Sequence, residues 1–222
     1  MILSKETLEV LKNYSNINGS ILIKPGNTIA TKSQSDSIIS YFKAKEEFET
    51  EISFYDLNLV LGVISAFTNP VFEFESDRVI ISEEKTPSIQ NTIIYHSSSF
   101  ITKVGNITPP PFEVSFQISE DILSKLDKLS SIQNLNEYVF EGVGDKILLK
   151  ALNVKNPDSN NFSVELGENT LKKPFKMVYN KDWFIFVKGN YTVELSTKRI
   201  THFKHNSLDL DYYVMADIKS KI

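Results

Sequence analysis

Four short patterns occur twice along this chain, in the same order and at a nearly constant separation. A chain that repeats its own grammar folds as two similar units rather than one. Leu3-Ser4 followed by Leu8 and Leu11 recurs as Ile118-Ser119 followed by Leu123 and Leu126. The turn Gly26-Asn27 recurs as Gly144-Asp145, and the strand-to-helix junction Phe54-Tyr55-Asp56-Leu57 as Val178-Tyr179-Asn180-Lys181. The turn Ser76-Asp77-Arg78-Val79 recurs as Ser196-Thr197-Lys198-Arg199-Ile200. With 222 residues, including 15 Phe and 9 Tyr, the chain has enough length and apolar volume for two cores.

The first half reads as α+β. Ser4 is placed to cap a helix whose apolar face is Leu8, Leu11 and Tyr14, with Lys5, Glu9, Lys12 and Asn16 on the other face. Ile21–Ile23 and Thr28–Thr31 flank Pro25-Gly26-Asn27 and predict a hairpin. Ile38–Phe42 and Phe48–Phe54 alternate as strands. Asp56 then caps a second helix with Leu57, Val60, Leu61 and Ile64 at helical spacing, and Asn69-Pro70 stops it. Phe72–Glu75 and Val79–Ile81 form another hairpin, and Ile93-Ile94-Tyr95 closes the sheet. Residues 97–111 carry three consecutive serines, three consecutive prolines and no apolar period, which predicts a connection between domains. The expected organisation is a domain over 1–103, a linker over 104–111 and a second domain over 112–222. Each domain is an antiparallel sheet with two helices on one face. The second helix of the second domain would span Asn180–Val187, although Trp183, Phe184, Ile185 and Phe186 suit a strand as well.

Several function classes are disfavoured. With no cysteine, thiolate nucleophiles, thiolate metal sites and disulfides are impossible, which suits a reducing cytoplasm. The N-terminus lacks the features of a signal peptide, and the longest apolar run, Leu59–Phe67, is too short to span a bilayer, so a soluble, unexported protein is expected. Ser40 and Lys43 match a Ser-x-x-Lys pattern but lie in a strand, where their side chains diverge. Gly142-Val143-Gly144 opens a dinucleotide fingerprint and fails at Ile147. His202 and His205 are expected to be solvated in a polar hairpin, and Asp209 and Asp211 to meet water. No catalytic constellation, metal set or cofactor motif emerges, so the chain is not expected to be an enzyme.

Leu3–Thr7, Leu11-Lys12-Asn13, Ile17-Asn18, the Lys24–Thr31 segment, Tyr55–Asn58 with Leu61-Gly62, Gly189-Asn190-Tyr191 and Tyr213-Val214 resemble the sliding clamps of T-even-type bacteriophages. The resemblance implies two tandem DNA-clamp domains and three subunits closing head to tail into a ring, with helices lining a hole around duplex DNA. It implies that the clamp tethers a replicative DNA polymerase by its C-terminal peptide, is opened by a clamp-loading ATPase, serves late transcription and works in the host cytoplasm. On this basis Lys5, Lys12, Lys125, Lys128, Lys181 and Lys188, the last two bracketing the final predicted helix, face the DNA. Around the second helix, which has no Lys or Arg, Asn58 and Ser65 would serve. A net charge of −4 argues against ordinary surface binding to nucleic acid, but a ring is retained by topology and needs a basic lumen only. The competing reading is a duplicated β-rich structural or virion oligomer without a DNA role.

Overall fold

The computed structural model describes residues 1–153, 156 and 160–221, so the expected second domain includes a few positions, among them 154, 155 and 157–159, outside the described residues. The chain divides into two compact units, Met1–Asn106 and Ile107–Ile222.

The first unit opens with α1 (Lys5–Ile17), where the Ser4 hydroxyl accepts from the Thr7 amide at 3.2 Å. Thr7, Val10, Leu11, Tyr14 and Ile17 form its buried stripe. The Tyr14 hydroxyl meets Ser40 Oγ at 2.8 Å with both residues fully buried, which fixes the rotation of the helix on its sheet. The first three strands follow as β1 (Ile21–Ile23), β2 (Gly26–Lys32) and β3 (Ile38–Phe48). Next come β4 (Ile52–Phe54) and α2 (Leu57–Ile64), where Asp56 Oδ1 accepts from the Leu59 amide at 3.0 Å. The unit closes with the antiparallel meander β5 (Pro70–Phe74), β6 (Arg78–Glu83) and β7 (Thr86–Ile94).

Two expectations for this half are corrected. The Gly26 turn does not make a hairpin: β1 pairs with β4, Ile21 opposite Phe54, and β2 pairs with β3. Gly26, at φ +118, lets the backbone swing from one pairing into the other, in a region glycine enters without penalty. The strand expected over 48–54 is two strands, because the chain turns after Phe48 and brings Ile52–Phe54, buried throughout, antiparallel to β1.

In the second unit β8 (Val114–Ile118) leads into α3 (Glu120–Gln133), capped by the Ser119 hydroxyl, which accepts from the Ile122 amide at 3.3 Å. The capping serine of α1 thus recurs where the sequence repeats. β9 (Glu137–Val143) and β10 (Lys146–Leu152) form a hairpin through Gly144-Asp145, and β11 (Phe162–Glu168) and β12 (Phe175–Asn180) complete a sheet in the order β11-β10-β9-β12. β13 (Tyr191–Leu195), β14 (Ile200–His205) and β15 (Leu210–Met215) run antiparallel, with β8 beside β13. The junctions correspond in detail. The Leu57 amide donates to Gly19 O at 2.7 Å, and the Lys181 amide donates to Asn136 O at 3.0 Å.

The junction then diverges. The helix expected over Asn180–Val187 is replaced by a single 3-10 turn, Lys181–Trp183, followed by chain without regular secondary structure. Phe184 packs on Tyr138, Tyr179 and Phe203 at centroid distances of 4.9, 5.4 and 5.5 Å, and Phe186 packs on Phe203 and Tyr212 at 4.5 and 5.0 Å. In a helix, side chains two apart point to nearly opposite sides, so the shared cluster fits the absence of a helix here. Gly189, at φ +154, ends the segment where a Cβ would come within 2.2 Å of His205 Nε2. Any larger residue there displaces a buried ring.

Candidate nucleic-acid interface

The two serine-capped helices, α1 and α3, present lysines on the side opposite their buried stripes. On α1, Lys5 and Lys12 are exposed, seven residues apart and therefore nearly in line. Glu9 lies on the same exposed side, so the face is only weakly cationic. Glu6 is drawn off it: Lys45 Nζ donates to Glu6 Oε1 at 2.8 Å, and this bond holds the carboxyl below its ordinary pKa. Glu46 anchors the start of the helix, accepting from the Ser4 amide and, at 2.6 Å, from the Thr7 hydroxyl. Partial burial opposes ionisation of Glu46, but these donors outweigh it and its pKa is lowered.

Between α1 and α2 runs an open groove whose polar lining is Lys12, Ser15, Asn16, Asn58 and Ser65. Asn58 and Ser65 were named from sequence. Asn16, expected only on the outer face of α1, and Ser15 join them here, and their place beside Lys12 is the signal in the sequence.

In the second unit Lys125 and Lys128 are exposed on α3. Lys125 Nζ pairs with Asp121 Oδ2 at 2.7 Å, an i,i+4 contact of small energetic weight between exposed groups. Lys181 joins this surface: its Nζ donates to Ser131 Oγ at 2.6 Å and lies 3.8 Å from Asp127 Oδ1. The structure therefore brings Lys125, Lys128 and Lys181 around one helix, interleaved with Glu120, Asp121 and Asp127. Lys188 bounds a cavity of about 200 Å³ between α3 and residues 184–189, lined also by Leu123, Asp127, Phe184 and Phe186.

Ser40 is fully buried against Tyr14, while Lys43 is exposed on the other face of β3. Among the described residues, no three His, Asp or Glu side chains are grouped to hold a metal ion. The histidines differ from expectation, since both are buried, His202 at 8% and His205 at 6% exposure. His205 Nδ1 accepts from the Ser207 and Leu208 amides, and its Nε2 donates to Lys188 O at 3.1 Å.

His202 Nδ1 faces Glu194 Oε2 at 2.8 Å and its Nε2 faces Asp211 Oδ1 at 2.6 Å, so Asp211 also departs from the solvated role expected of it. The ring stacks on Tyr213 at 4.6 Å and on Phe112 at 5.7 Å. Carboxylates only accept, so both ring nitrogens donate and the imidazole is a cation. Burial works against the charge, but the Asp211 and Glu194 hydrogen bonds prevail and raise the pKa above 6.5. A raised folded pKa gives stability that is complete below the unfolded value and is lost as pH climbs through the folded one. The thermal midpoint is therefore expected to fall as pH rises above about 6.5, and more steeply in the parent than in His202→Gln. Parallel pH profiles for the two proteins would refute this.

No family model matches the chain. Among curated proteins it is similar to the sliding clamp of Vibrio phage KVP40, with 24% identity covering 98% of this chain and 99% of that one. The sliding clamps of Enterobacteria phage T4 and Escherichia phage RB69 are each 26% identical, covering 89% and 88% of this chain and 88% and 87% of theirs. Among solved structures it superposes on the proliferating cellular nuclear antigen of Entamoeba histolytica with a TM-score of 0.69 and 13% identity, covering 96% of this chain and 95% of that one. It superposes on A. fulgidus PCNA, solved with the C-terminal region of FEN-1 bound, with a TM-score of 0.72 and 12% identity, covering 99% and 98% of the two chains. The chain has the DNA-clamp fold and, over nearly its full length, resembles the sliding clamps of phages T4, RB69 and KVP40.

Proposed function

We propose that the chain is a sliding clamp: three copies close head to tail around duplex DNA and tether a replicative polymerase to its template. Residues 1–103 and 112–222 are the two clamp domains, joined through 104–111. Lys5, Lys12, Lys125, Lys128, Lys181 and Lys188 face the duplex, with Asn58 and Ser65 beside them. A clamp-loading ATPase opens the ring, the C-terminal peptide of the polymerase docks on it, late-transcription factors share it, and it works in the host cytoplasm without a cofactor of its own. The observation that carries this reading is the near full-length likeness to sliding clamps in both sequence and fold.

The edges of the sheets support ring closure. β7 is an edge strand of nine residues, exposed along nearly its whole length, and its sequence TPSIQNTII has no charged side chain. Proteins normally blunt such an edge with lysines or a covering segment, and one left uncharged is a template for pairing. Among the described residues, β11 is an outer strand of the four-stranded sheet in the second unit. Pairing β7 of one copy with β11 of the next is a head-to-tail contact, and such contacts form rings when the rotation closes. The weakly cationic helices suit a ring held by linkage, where strong phosphate affinity would hinder sliding.

Light scattering during gel filtration is expected to report three subunits per particle for the parent and for a variant with Lys5, Lys12, Lys125 and Lys128 all changed to Glu. The same variant should lose most loader-dependent stimulation of the polymerase. A monomer at micromolar concentration would contradict the ring, and undiminished stimulation would contradict the placement of the lysines.

A further inference from the structure

β5 is the outer strand of its sheet at the end opposite β7. The Glu75 amide donates to Arg78 O at 2.9 Å where β5 turns into β6, and the register then runs Phe74 opposite Val79, Glu73 opposite Ile80 and Phe72 opposite Ile81. Hydrogen-bonded and non-bonded pairs alternate along an antiparallel ladder, so Glu73 and Glu75 aim their backbone groups at β6 while Phe72 and Phe74 aim theirs outward. Met1 satisfies Phe72: its amine donates to Phe72 O at 2.6 Å, and its carbonyl accepts from the Phe72 amide at 2.7 Å. Phe74 has no such partner among the described residues. The second unit shows what fills the corresponding place. The Ser4 and Ser119 caps correspond, so Met1, three residues before the first, matches Phe116, three before the second. Phe116 stands opposite Val193; two residues farther along β13, Leu195 stands opposite Val114 and its carbonyl accepts from the Glu113 amide at 2.9 Å. Phe74 is thus the counterpart of Leu195 without the strand that covers it. Beside it opens a cavity of about 440 Å³ with Val71, Phe72 and Phe74 on its apolar side. Its charged groups are the exposed carboxylates of Glu49 and Glu73 and the Met1 amine, which is turned onto Phe72 O.

We propose that the edge of β5 beyond Met1 receives an extended basic segment of a partner protein, which adds a strand at Phe74 as Glu113 and Val114 do at Leu195. In strand addition of this kind the main-chain hydrogen bonds supply affinity and alternate side chains supply specificity. An edge with free backbone groups is a template for pairing unless lysines or a covering segment blunt it, and no lysine or arginine lines this one. Glu49 and Glu73 disfavour nucleic acid and acidic chains, and they complement a segment in which Lys or Arg alternates with apolar residues. The site lies within the first unit and at the far end of its sheet from β7, so the inference does not depend on ring closure. A monomer that binds the segment would overturn the ring alone.

The test uses the full chain, a capped peptide of alternating valine and lysine, and amide hydrogen exchange read residue by residue. Saturating peptide is expected to slow exchange at the Phe74 amide about tenfold or more, because that amide gains an acceptor. A peptide of the same side chains with alternate backbone amides methylated cannot pair with the edge and should bind at least about tenfold more weakly. A peptide with Glu in place of Lys should not bind, and binding of the basic peptide should weaken as salt rises from about 50 to about 300 mM. Glu49→Lys and Glu73→Lys together should weaken it about tenfold, whereas Asp209→Lys, in the second unit, should leave it unchanged. The methylated control uses the parent protein, so the test stands whatever the double variant does to folding. An unchanged Phe74 amide, equal binding of the methylated peptide, or binding undiminished in the double variant would each overturn the proposal. Slowing at Phe74 that grows with protein concentration and needs no peptide would mean that a second copy fills the edge, which would overturn it too.

Discussion

Truncating Phe203 to alanine is expected to lower the unfolding free energy by about 3–5 kcal/mol, the range for deleting a large aromatic from a packed interior. Phe203 is fully buried on β14, with ring centroids of Phe186, Phe184 and Phe140 at 4.5, 5.5 and 6.2 Å. Those rings come from β9 and from the 184–186 segment. Phe203 is the ring that Phe184 and Phe186 both meet. The cavity left behind therefore cannot be filled by a small shift of one neighbour, which places the cost toward the upper end of the range. At this chain length the loss corresponds to about 10 °C or more in thermal midpoint. Calorimetry of Phe203→Ala beside the parent checks it, and a loss below about 1 kcal/mol would mean that the cluster is loosely packed.

Local chemistry made much of this architecture readable in advance. Ser4, Ser119 and Asp56 act as caps because a short side chain followed by free amides satisfies itself within one turn. Gly144-Asp145 closes a two-residue hairpin for similarly local reasons. The duplication was visible because caps and turns recur together. Long-range pairing was not: nothing near Gly26 says that β1 will prefer β4 to β2, since that choice is made by burial on a strand some thirty residues away (β4). The 180–187 segment was ambiguous for a different reason, because Trp183–Phe186 are apolar on every side and only the cluster they enter fixes their spacing.

The same division holds for the candidate interface. Lys5, Lys12, Lys125 and Lys128 follow from helical periodicity and stand exposed, as the apolar stripes require. Lys181 could not be placed this way, because its amine ends on Ser131 and near Asp127, partners on another element. His202 was misread for a related reason. Its two carboxylates come from the strands on either side of β14, and together they turn an apparently solvent-facing histidine into a buried cation.

The largest functional effect expected is on retention rather than on affinity. A chain of net charge −4, with lysines interleaved among acids on its helices, should bind free duplex poorly. Placed on a nicked circle by a clamp loader and ATP, a closed ring should nevertheless stay, because leaving requires either opening the protein or cutting the DNA. The decisive measurement follows the protein on such a circle by gel filtration before and after a restriction enzyme linearises it. Retained protein should run off the open ends within the time of the column, and binding bulky protein at both ends should restore retention. A site held by phosphate or base contacts would instead hold equally on circular and linear DNA. Equal retention on the two forms, with ends unblocked, would contradict the sliding-clamp reading.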